Sequence, residues 1–234
     1  MTQPRITITD DPAAAAAEKI AAVARARGHI ALAGGRTPRA AYEQAAALVD
    51  DWSGVTLWFG DDRAVGPNDE RSNYRLAREA LLDRIAGPAP VVHRIHGEEG
   101  YEAAAGAYAE TLRAVFGEGV PALDLILLGI GGDGHTASLF PGTPALAVTD
   151  QPVVGVPEPG LEPFVPRITF TFPALNAARE VVFLVEGEGK AEAVRRAFGS
   201  PPDPAAPSAH VRPDPGTLTV LLDPPAAAQL EGPA

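Results

Sequence analysis

Short apolar and β-branched runs alternate with helical segments along almost the whole chain, and this alternation is the feature that most constrains the fold. In the first part of the chain the strand-like runs cover residues 5–9, 29–33, 55–59 and 124–131. Repeated strand–helix units bring consecutive strands into a parallel sheet, because each helix returns the chain to the same edge. We therefore predict an α/β fold with a mostly parallel sheet and helices on both faces.

The remaining elements follow from the same periodicities. Further strands are predicted at 91–95, 153–156, 167–172, 181–185 and 217–223. Helices are predicted at 12–27, 38–49, 72–87, 100–116 and 189–198, with a short helix after the last strand. The run at 124–131 is apolar on both faces, which is typical of a central parallel strand. Proline-rich stretches at 141–166 and 200–213 are predicted to be long loops, and no domain linker is apparent.

Composition narrows the class of protein. The chain has 234 residues, of which 46% are hydrophobic, so we predict one domain over residues 1–234 with a sizeable core. No apolar run reaches the length of a membrane helix and the N-terminus lacks the pattern of a signal peptide, so a cytoplasmic location is expected. A net charge of −11 argues against nucleic-acid or membrane partners. The absence of cysteine excludes thiol chemistry. We expect a monomer or a weak homo-oligomer.

Two glycine turns are candidates for binding an anion. Gly34, Gly35, Arg36 and Thr37 follow a predicted strand, and Thr37 is expected to cap a helix whose first residue is Pro38. Free N–H groups at a helix N-terminus suit a phosphate group, and Arg36 adds a charge. A tight, well-capped turn without a ligand fits the same residues.

The second candidate is Lys190, which is predicted to lie in the first turn of a helix after a glycine loop. A lysine there is unfavourable unless an anion is bound beside it. Asp61, Asp62 and Arg63 also follow a strand; they fit either a ligand site or a solvated ion-pair turn.

The most informative segment is the glycine-rich stretch that begins at Gly129. Its glycines match the dinucleotide pattern G-x-G-x-x-G, but Pro141 and Pro144 would end the helix that such a site requires, so we reject that interpretation. The segment instead exposes Asp133 and His135 at the end of a buried strand, where a histidine beside a carboxylate can act as a general base. His93 and His96 give only a weak hint of a metal site, and neither a zinc motif nor G-x-S-x-G is present.

The chain resembles the 6-phosphogluconolactonase family, a branch of the wider glucosamine-6-phosphate isomerase group, over nearly its whole length. The similar segments, in order, are GGRTP at 34–38, FGDDR at 59–63, RSN at 71–73, GIGGDGHTASLFPG at 129–142, RITFTFPALNAA at 167–178, EGEGK at 186–190 and LLD at 221–223. The resemblance implies a modified Rossmann-type α/β fold, no metal or organic cofactor, and a role in the cytosolic pentose phosphate pathway. The implied activity is hydrolysis of 6-phospho-D-glucono-1,5-lactone.

The resemblance also implies roles for particular residues. His135 would activate water, and Asp133 would orient His135 or hold substrate hydroxyls. Backbone N–H groups of the 131–134 turn, which includes Gly132, would stabilise the oxyanion. The residues implied for the sugar phosphate are Gly34, Gly35, Arg36, Thr37, Arg63 and Lys190, with Arg167 binding the phosphate or the polyol chain. The family commonly has Asp-Glu-Arg where this chain has Asp61-Asp62-Arg63, so the resemblance implies a role for Arg63 but none for Asp62.

Two alternative functions remain open at this point. Glucosamine-6-phosphate deaminases of the same group have a sequence like Asp-Glu-Tyr at the positions of Asp61-Asp62-Arg63. They also carry an acidic residue soon after the histidine turn. This chain has Arg63 in place of the tyrosine and no acid at 136–140. A non-catalytic sugar-phosphate sensor would need an attached DNA-binding module, and no helix-turn-helix segment is apparent.

Overall fold

A seven-stranded parallel sheet forms the centre of the molecule. The structure is a computed structural model and describes residues 3–230. Its spatial order is β1-β10-β9-β6-β2-β3-β5. The strands are β1 (Arg5–Ile8), β2 (His29–Leu32), β3 (Thr56–Phe59), β5 (Val91–Val92), β6 (Leu125–Leu128), β9 (Glu180–Val185) and β10 (Thr217–Leu222). All four residues of β6 are buried, so both faces of the sheet are covered at its centre. The mostly parallel α/β fold and the central position of β6 are thereby confirmed.

Three strands form a second, antiparallel sheet that the sequence did not predict. They are β4 (Asp61–Arg63), β7 (Val153–Val156) and β8 (Arg167–Phe170), in the order β4-β8-β7. Residues 167–172 were predicted to be a strand, and the first four of them are. Because β4 follows β3 after a single residue, the chain passes directly from the large sheet into the small one.

Six α-helices connect the strands within residues 3–230. They are α1 (Pro12–Arg25), α2 (Arg36–Leu48), α3 (Asn73–Ala80), α4 (Tyr101–Phe116), α5 (Phe172–Asn176) and α6 (Ala191–Phe198). The helix α1 begins where expected, since Pro12 is its first residue and the Asp11 carboxylate accepts from the N–H of Ala14 at 2.8 Å. None of the helices in this part of the chain has the length and hydropathy needed to cross a membrane.

The helix predicted at 72–87 and the helix predicted after β10 both differ from the structure. The helix predicted at 72–87 is capped by Ser72 as expected, but it ends at Ala80, and a 3-10 turn at Leu82–Arg84 follows. Gly87 does not end a helix; a β-carbon there would lie 2.0 Å from the Asp50 carbonyl oxygen, so this glycine allows close backbone packing. The short helix predicted after β10 is also wrong for residues 224–230, which form successive turns that begin at two prolines.

Candidate active site

A cavity of about 310 Å³ opens at the carboxyl ends of β2, β3 and β6, where ligands bind in parallel α/β sheets. Five of the residues that were predicted to form the site line it: Gly34, Gly35, Arg63, His135 and Lys190. The other five, Arg36, Thr37, Gly132, Asp133 and Arg167, do not line the cavity. Asp133 contacts the lining residue His135, and Arg167 is the strand partner of the lining residue Arg63.

His135 is held by the carboxylate two residues before it. Its Nδ1 atom lies 2.6 Å from Asp133 Oδ1, and its backbone N–H donates to the same oxygen at 3.0 Å. We assign the Nδ1 proton to this hydrogen bond, since the carboxylate is an acceptor; Nε2 is then free to accept a proton. A β-carbon on Gly131 would lie 2.0 Å from His135 Nδ1, so only glycine allows the ring to lie in this position.

The glycine turn before His135 offers fewer free donors than expected. The Gly131 N–H donates to the His135 carbonyl at 2.8 Å, and the Gly134 N–H donates to the Gly131 carbonyl at 3.0 Å. These two N–H groups are therefore already hydrogen-bonded within the turn. The N–H groups of Gly132 and Asp133 have no acceptor within residues 3–230, so they are the donors that remain for an oxyanion.

The first glycine turn leads into α2 differently from the prediction. The helix begins at Arg36, its N-cap is Gly35 with φ of 116°, and no side chain caps it. Thr37 is therefore not the cap, because the left-handed backbone at Gly35 starts the helix two residues earlier than Pro38. The N–H groups of the first turn have no intrahelical acceptor and no side-chain cap, so they remain available to a ligand as the prediction requires.

Asn73 lies directly beneath this turn. A β-carbon on Gly34 would lie 1.9 Å from Asn73 Oδ1, so the asparagine packs against the glycine backbone. Its Nδ2 atom donates to the Asp61 carbonyl at 2.9 Å and to Asp61 Oδ1 at 3.1 Å. Because both atoms facing Nδ2 are acceptors, the amide orientation is fixed. Asn73 thus links the first glycine turn to the start of β4.

Arg63 and Arg167 lie side by side on β4 and β8. They are register partners in the antiparallel sheet, and the Nε atom of each is buried without a hydrogen-bond partner. Burial, and then the charge of Arg63, lowers the pKa of Arg167 to about 10. Arg63 Nη1 donates to the Arg71 carbonyl and Arg167 Nη2 to the Pro163 carbonyl, which fixes both side chains. Arg167 is buried and Arg63 half-buried, and two adjacent cations of this kind are able to bind an anion.

The two aspartates before Arg63 are buried, so the solvated ion-pair interpretation is wrong for them. Asp61 lines the cavity, and its Oδ2 accepts from the Ser138 hydroxyl at 2.7 Å. Asp62 faces the N-terminus of α3, where its carboxylate accepts from the N–H groups of Arg63, Asn73 and Tyr74 and from the Ser72 hydroxyl. Burial raises the pKa of Asp62 to about 6. Asp62, which stands where the family commonly has a glutamate, therefore accepts from N–H groups in the first turn of α3.

Lys190 precedes α6 and lines the cavity. It ends a 3-10 turn at Glu188–Lys190 and is the N-cap residue of the helix, close to the predicted first turn. No acidic partner contacts its ammonium group within the described chain. A cation at the start of a helix with no carboxylate beside it supports the anion-site interpretation.

Two site residues were missed by sequence reasoning: Asn73 and Ser138. Asn73 stands in the RSN segment, but nothing local to that segment shows that it packs beneath Gly34. Ser138 contacts Asp61, which is 77 residues away in the chain. Only the fold brings these residues together.

The histidines at 93 and 96 do not form a metal site. His93 stacks on Trp58 with 4.3 Å between ring centroids, and His96 is near Glu98 and Glu99 at the surface. Across residues 3–230, no group of three or more histidine or acidic side chains is arranged to hold a metal ion.

Comparison with known proteins gives matches over most of the chain. The family model for glucosamine-6-phosphate isomerases/6-phosphogluconolactonase matches residues 6–220. A 6-phosphogluconolactonase of Nostoc sp. is 42% identical over 206 residues, which is 86% of this chain and 84% of the relative. The 6-phosphogluconolactonase of Homo sapiens is 38% identical over 222 residues, 90% of this chain and 83% of the relative. The solved structure of 6-phosphogluconolactonase from Trypanosoma cruzi superposes with a TM-score of 0.86 at 30% identity and covers 99% of both chains.

Proposed function

Because the chain belongs to the glucosamine-6-phosphate isomerase/6-phosphogluconolactonase family, we propose that it hydrolyses 6-phospho-D-glucono-1,5-lactone to 6-phosphogluconate. The observation that carries this proposal is the His135–Asp133 pair at a cavity that also contains Arg63 and Lys190, two cations with no acidic partner among residues 3–230. A general base and an anion site in one cavity are what hydrolysis of a phosphorylated lactone requires.

The phosphate group of the substrate is held by the arginine pair and the start of α2. Arg63 lines the cavity with its strand partner Arg167 beside it, and the turn at Gly34 and Gly35 supplies backbone N–H groups. Lys190 adds a third cation. Anchoring the phosphate in this way orients the lactone ring towards His135, and the binding energy of this remote group favours the reacting geometry.

Hydrolysis is a water attack on the lactone carbonyl. His135 Nε2 takes a proton from water as the new C–O bond forms, and Asp133 stabilises the resulting imidazolium through Nδ1. The oxyanion accepts from the N–H groups of Gly132 and Asp133. When the tetrahedral intermediate collapses, the bond from the carbonyl carbon to the ring oxygen breaks, and the imidazolium returns its proton to that oxygen. General base catalysis contributes roughly 10²–10⁴-fold and each oxyanion donor about 10²–10³-fold.

Asp61 and Asn73 support this reaction by holding the segments that carry the base and the phosphate site. Asp61 accepts hydrogen bonds from Ser138, three residues after His135, and from Asn73 beneath the first glycine turn. One buried carboxylate therefore connects the segment that carries the base with the segment that holds the phosphate.

The assay that tests this function measures acid release from freshly prepared 6-phosphoglucono-δ-lactone, with and without protein. The lactone opens slowly in water, so an enzyme-free sample is the reference. We expect a large excess rate with the protein and no ammonia release from glucosamine 6-phosphate. Ammonia release would assign the chain to the deaminases, and ligand binding without turnover of either compound would make it a sensor.

The wider setting of the activity belongs to the same proposal. The whole chain, residues 1–234, would work as one domain in the oxidative pentose phosphate pathway of the cytoplasm, as a monomer or weak homo-oligomer without nucleic-acid or membrane partners. Residues 1–2 and 231–234 of that domain lie outside the described residues. Co-migration of the activity with a single 24.2 kDa species in size-exclusion chromatography would support this arrangement.

A further inference from the structure

The turn that carries His135 is fixed from behind by a loop and a helix that come much later in the chain. The loop covers residues 203–208 and the helix is α6; together we call them the rear brace. We propose that Ser208 and Arg196 of the rear brace are positioning residues, which act on the reaction by holding the His135–Asp133 pair. This inference rests on the proposed role of His135 as the base.

Ser208 holds the peptide that immediately precedes His135. Its backbone N–H donates to the Gly134 carbonyl at 3.0 Å, and its hydroxyl donates to the same oxygen at 2.8 Å. The side chain is fully buried, and Ala206 packs against the Gly134 backbone beside it. Both lone pairs of one carbonyl are thus used by one residue, which fixes the orientation of the 134–135 peptide.

Arg196 holds the preceding peptide. Its Nη1 donates to the Asp133 carbonyl at 3.2 Å, and its Nε donates to Asp203 Oδ2 at 2.7 Å. The ion pair with Asp203 fixes the guanidinium plane, so that Nη1 is aimed at the turn. Asp203 is itself held against α6, because its N–H donates to the Arg196 carbonyl at 2.7 Å.

Fixing these two carbonyls sets the geometry of the catalytic pair. Asp133 Oδ1 contacts both the ring and the backbone N–H of His135, and this arrangement requires the 133–135 backbone to stay in one conformation. If either peptide rotates, the carboxylate and the imidazole separate. The rear brace supplies three donors to two successive carbonyls of a segment that contains glycines at 131, 132 and 134 and is intrinsically flexible.

The helix that carries Arg196 also links the two halves of the site. It starts after Lys190, which lines the cavity, and Arg196 lies in its last turn, against the His135 turn. One rigid element of eight residues therefore connects a residue proposed to bind phosphate with the backbone of the proposed base.

The test compares Ser208→Ala and Arg196→Met with wild type by two readouts. The first is steady-state kinetics on the lactone, for which we expect kcat to fall about tenfold with little change in KM, because small misplacement of a reacting group costs rate. The second is proton NMR of the substrate-free protein. The 2.6 Å contact to Asp133 should shift the His135 Nδ1 proton far downfield, and its signal is assigned by its loss in His135→Ala. In both variants this signal should broaden or move upfield.

Thr171→Val is the matched control, because Thr171 is also buried and its hydroxyl donates to a carbonyl, that of Gln151, at 2.7 Å. It should leave kcat and the downfield signal unchanged. A wild-type signal in both rear-brace variants overturns the inference, whatever happens to kcat. If Ser208→Ala does not fold, Arg196→Met decides alone, since Arg196 is partly exposed. If the wild-type protein hydrolyses no lactone, the proposed function fails, while the NMR comparison still tests the rear brace.

Discussion

The chemistry of this site depends on individual close contacts that tolerate almost no change in side-chain size. His135 occupies the space that a side chain at position 131 would fill, and Asn73 occupies the space beside Gly34. The sequence predicts that glycines at these positions give the backbone freedom to turn. Their other role, leaving room for a functional side chain, depends on residues that the fold brings there.

Gly131→Ala should reduce activity by displacing the imidazole. The new methyl group would lie 2.0 Å from His135 Nδ1, so the ring must rotate away from Asp133. We expect kcat to fall about 10²-fold or more, while KM changes little because the phosphate contacts remain. Gly106→Ala in α4 is the control, since a β-carbon there meets no atom within 4 Å and the residue lies outside the cavity. Equal losses in the two variants would contradict this explanation.

Arg167→Met should weaken substrate binding without destabilising the protein. The charged donor is lost, so we expect KM to rise about 10- to 100-fold. The melting temperature should stay constant or rise, because the substitution removes a buried charge beside Arg63. Arg179→Met, at the opposite end of the sheet, is the control and should leave KM unchanged. A large loss of stability in Arg167→Met would show that the arginine is structural.

At the scale of elements, strand positions were easier to predict than helix ends. Strand β7 was predicted with its observed bounds, and the core of β6 was identified because its residues are apolar on both faces. The start of α2 and the end of α3 were not predicted correctly. Gly35 begins α2 through its left-handed backbone, and α3 ends at Ala80, seven residues before Gly87, where the next residue, Leu81, is buried. These boundaries depend on tertiary contacts, which local patterns do not encode.

The N-terminus of α3 should respond to pH through Asp62. Its pKa is raised to about 6 by burial, whereas the unfolded chain ionises this group near pH 4. Between these values the unfolded state binds fewer protons than the folded state, so stability falls as the pH rises. Relative to Asp62→Asn, the free energy of unfolding of wild type should fall by roughly 2–3 kcal/mol from pH 4 to pH 6.

Urea unfolding at a series of pH values measures this difference. Subtracting the variant from the wild type removes the contribution of all other carboxylates. A difference that rises with pH would contradict the prediction, and it would mean that the four donors around Asp62 favour the charged form.

At the scale of the whole molecule, the parallel sheet was predictable and the antiparallel one was not. Repeated strand–helix units imply parallel strands wherever a helix connects them. Strand β4 contains only three residues, two of them acidic, and it pairs with a strand more than 100 residues later. No local pattern indicates this pairing, yet it places Arg63 beside Arg167. Half of the residues predicted for the site line the cavity, and their mutual arrangement was not predictable from the sequence.

Binding of the reaction product should stabilise the entire fold, provided that the phosphate group reaches the cations. At a concentration 100 times its Kd, 6-phosphogluconate should add about 2.7 kcal/mol to the free energy of unfolding. That gain corresponds to a rise in melting temperature of roughly 5–10 °C for a domain of this size. Gluconate, which lacks the phosphate, should give no shift at the same concentration. Equal shifts from both compounds would place the recognition in the polyol chain.

The proposed reaction depends on His135, which activates the water that opens the lactone. The most direct measurement is kcat/KM for 6-phosphoglucono-δ-lactone in wild type, His135→Ala and His96→Ala, where His96 is an exposed histidine outside the cavity. We predict a loss of about 10²–10⁴-fold for His135→Ala and none for His96→Ala. If folded His135→Ala hydrolyses the lactone at the wild-type rate, the histidine is not the base and the account of the site is wrong.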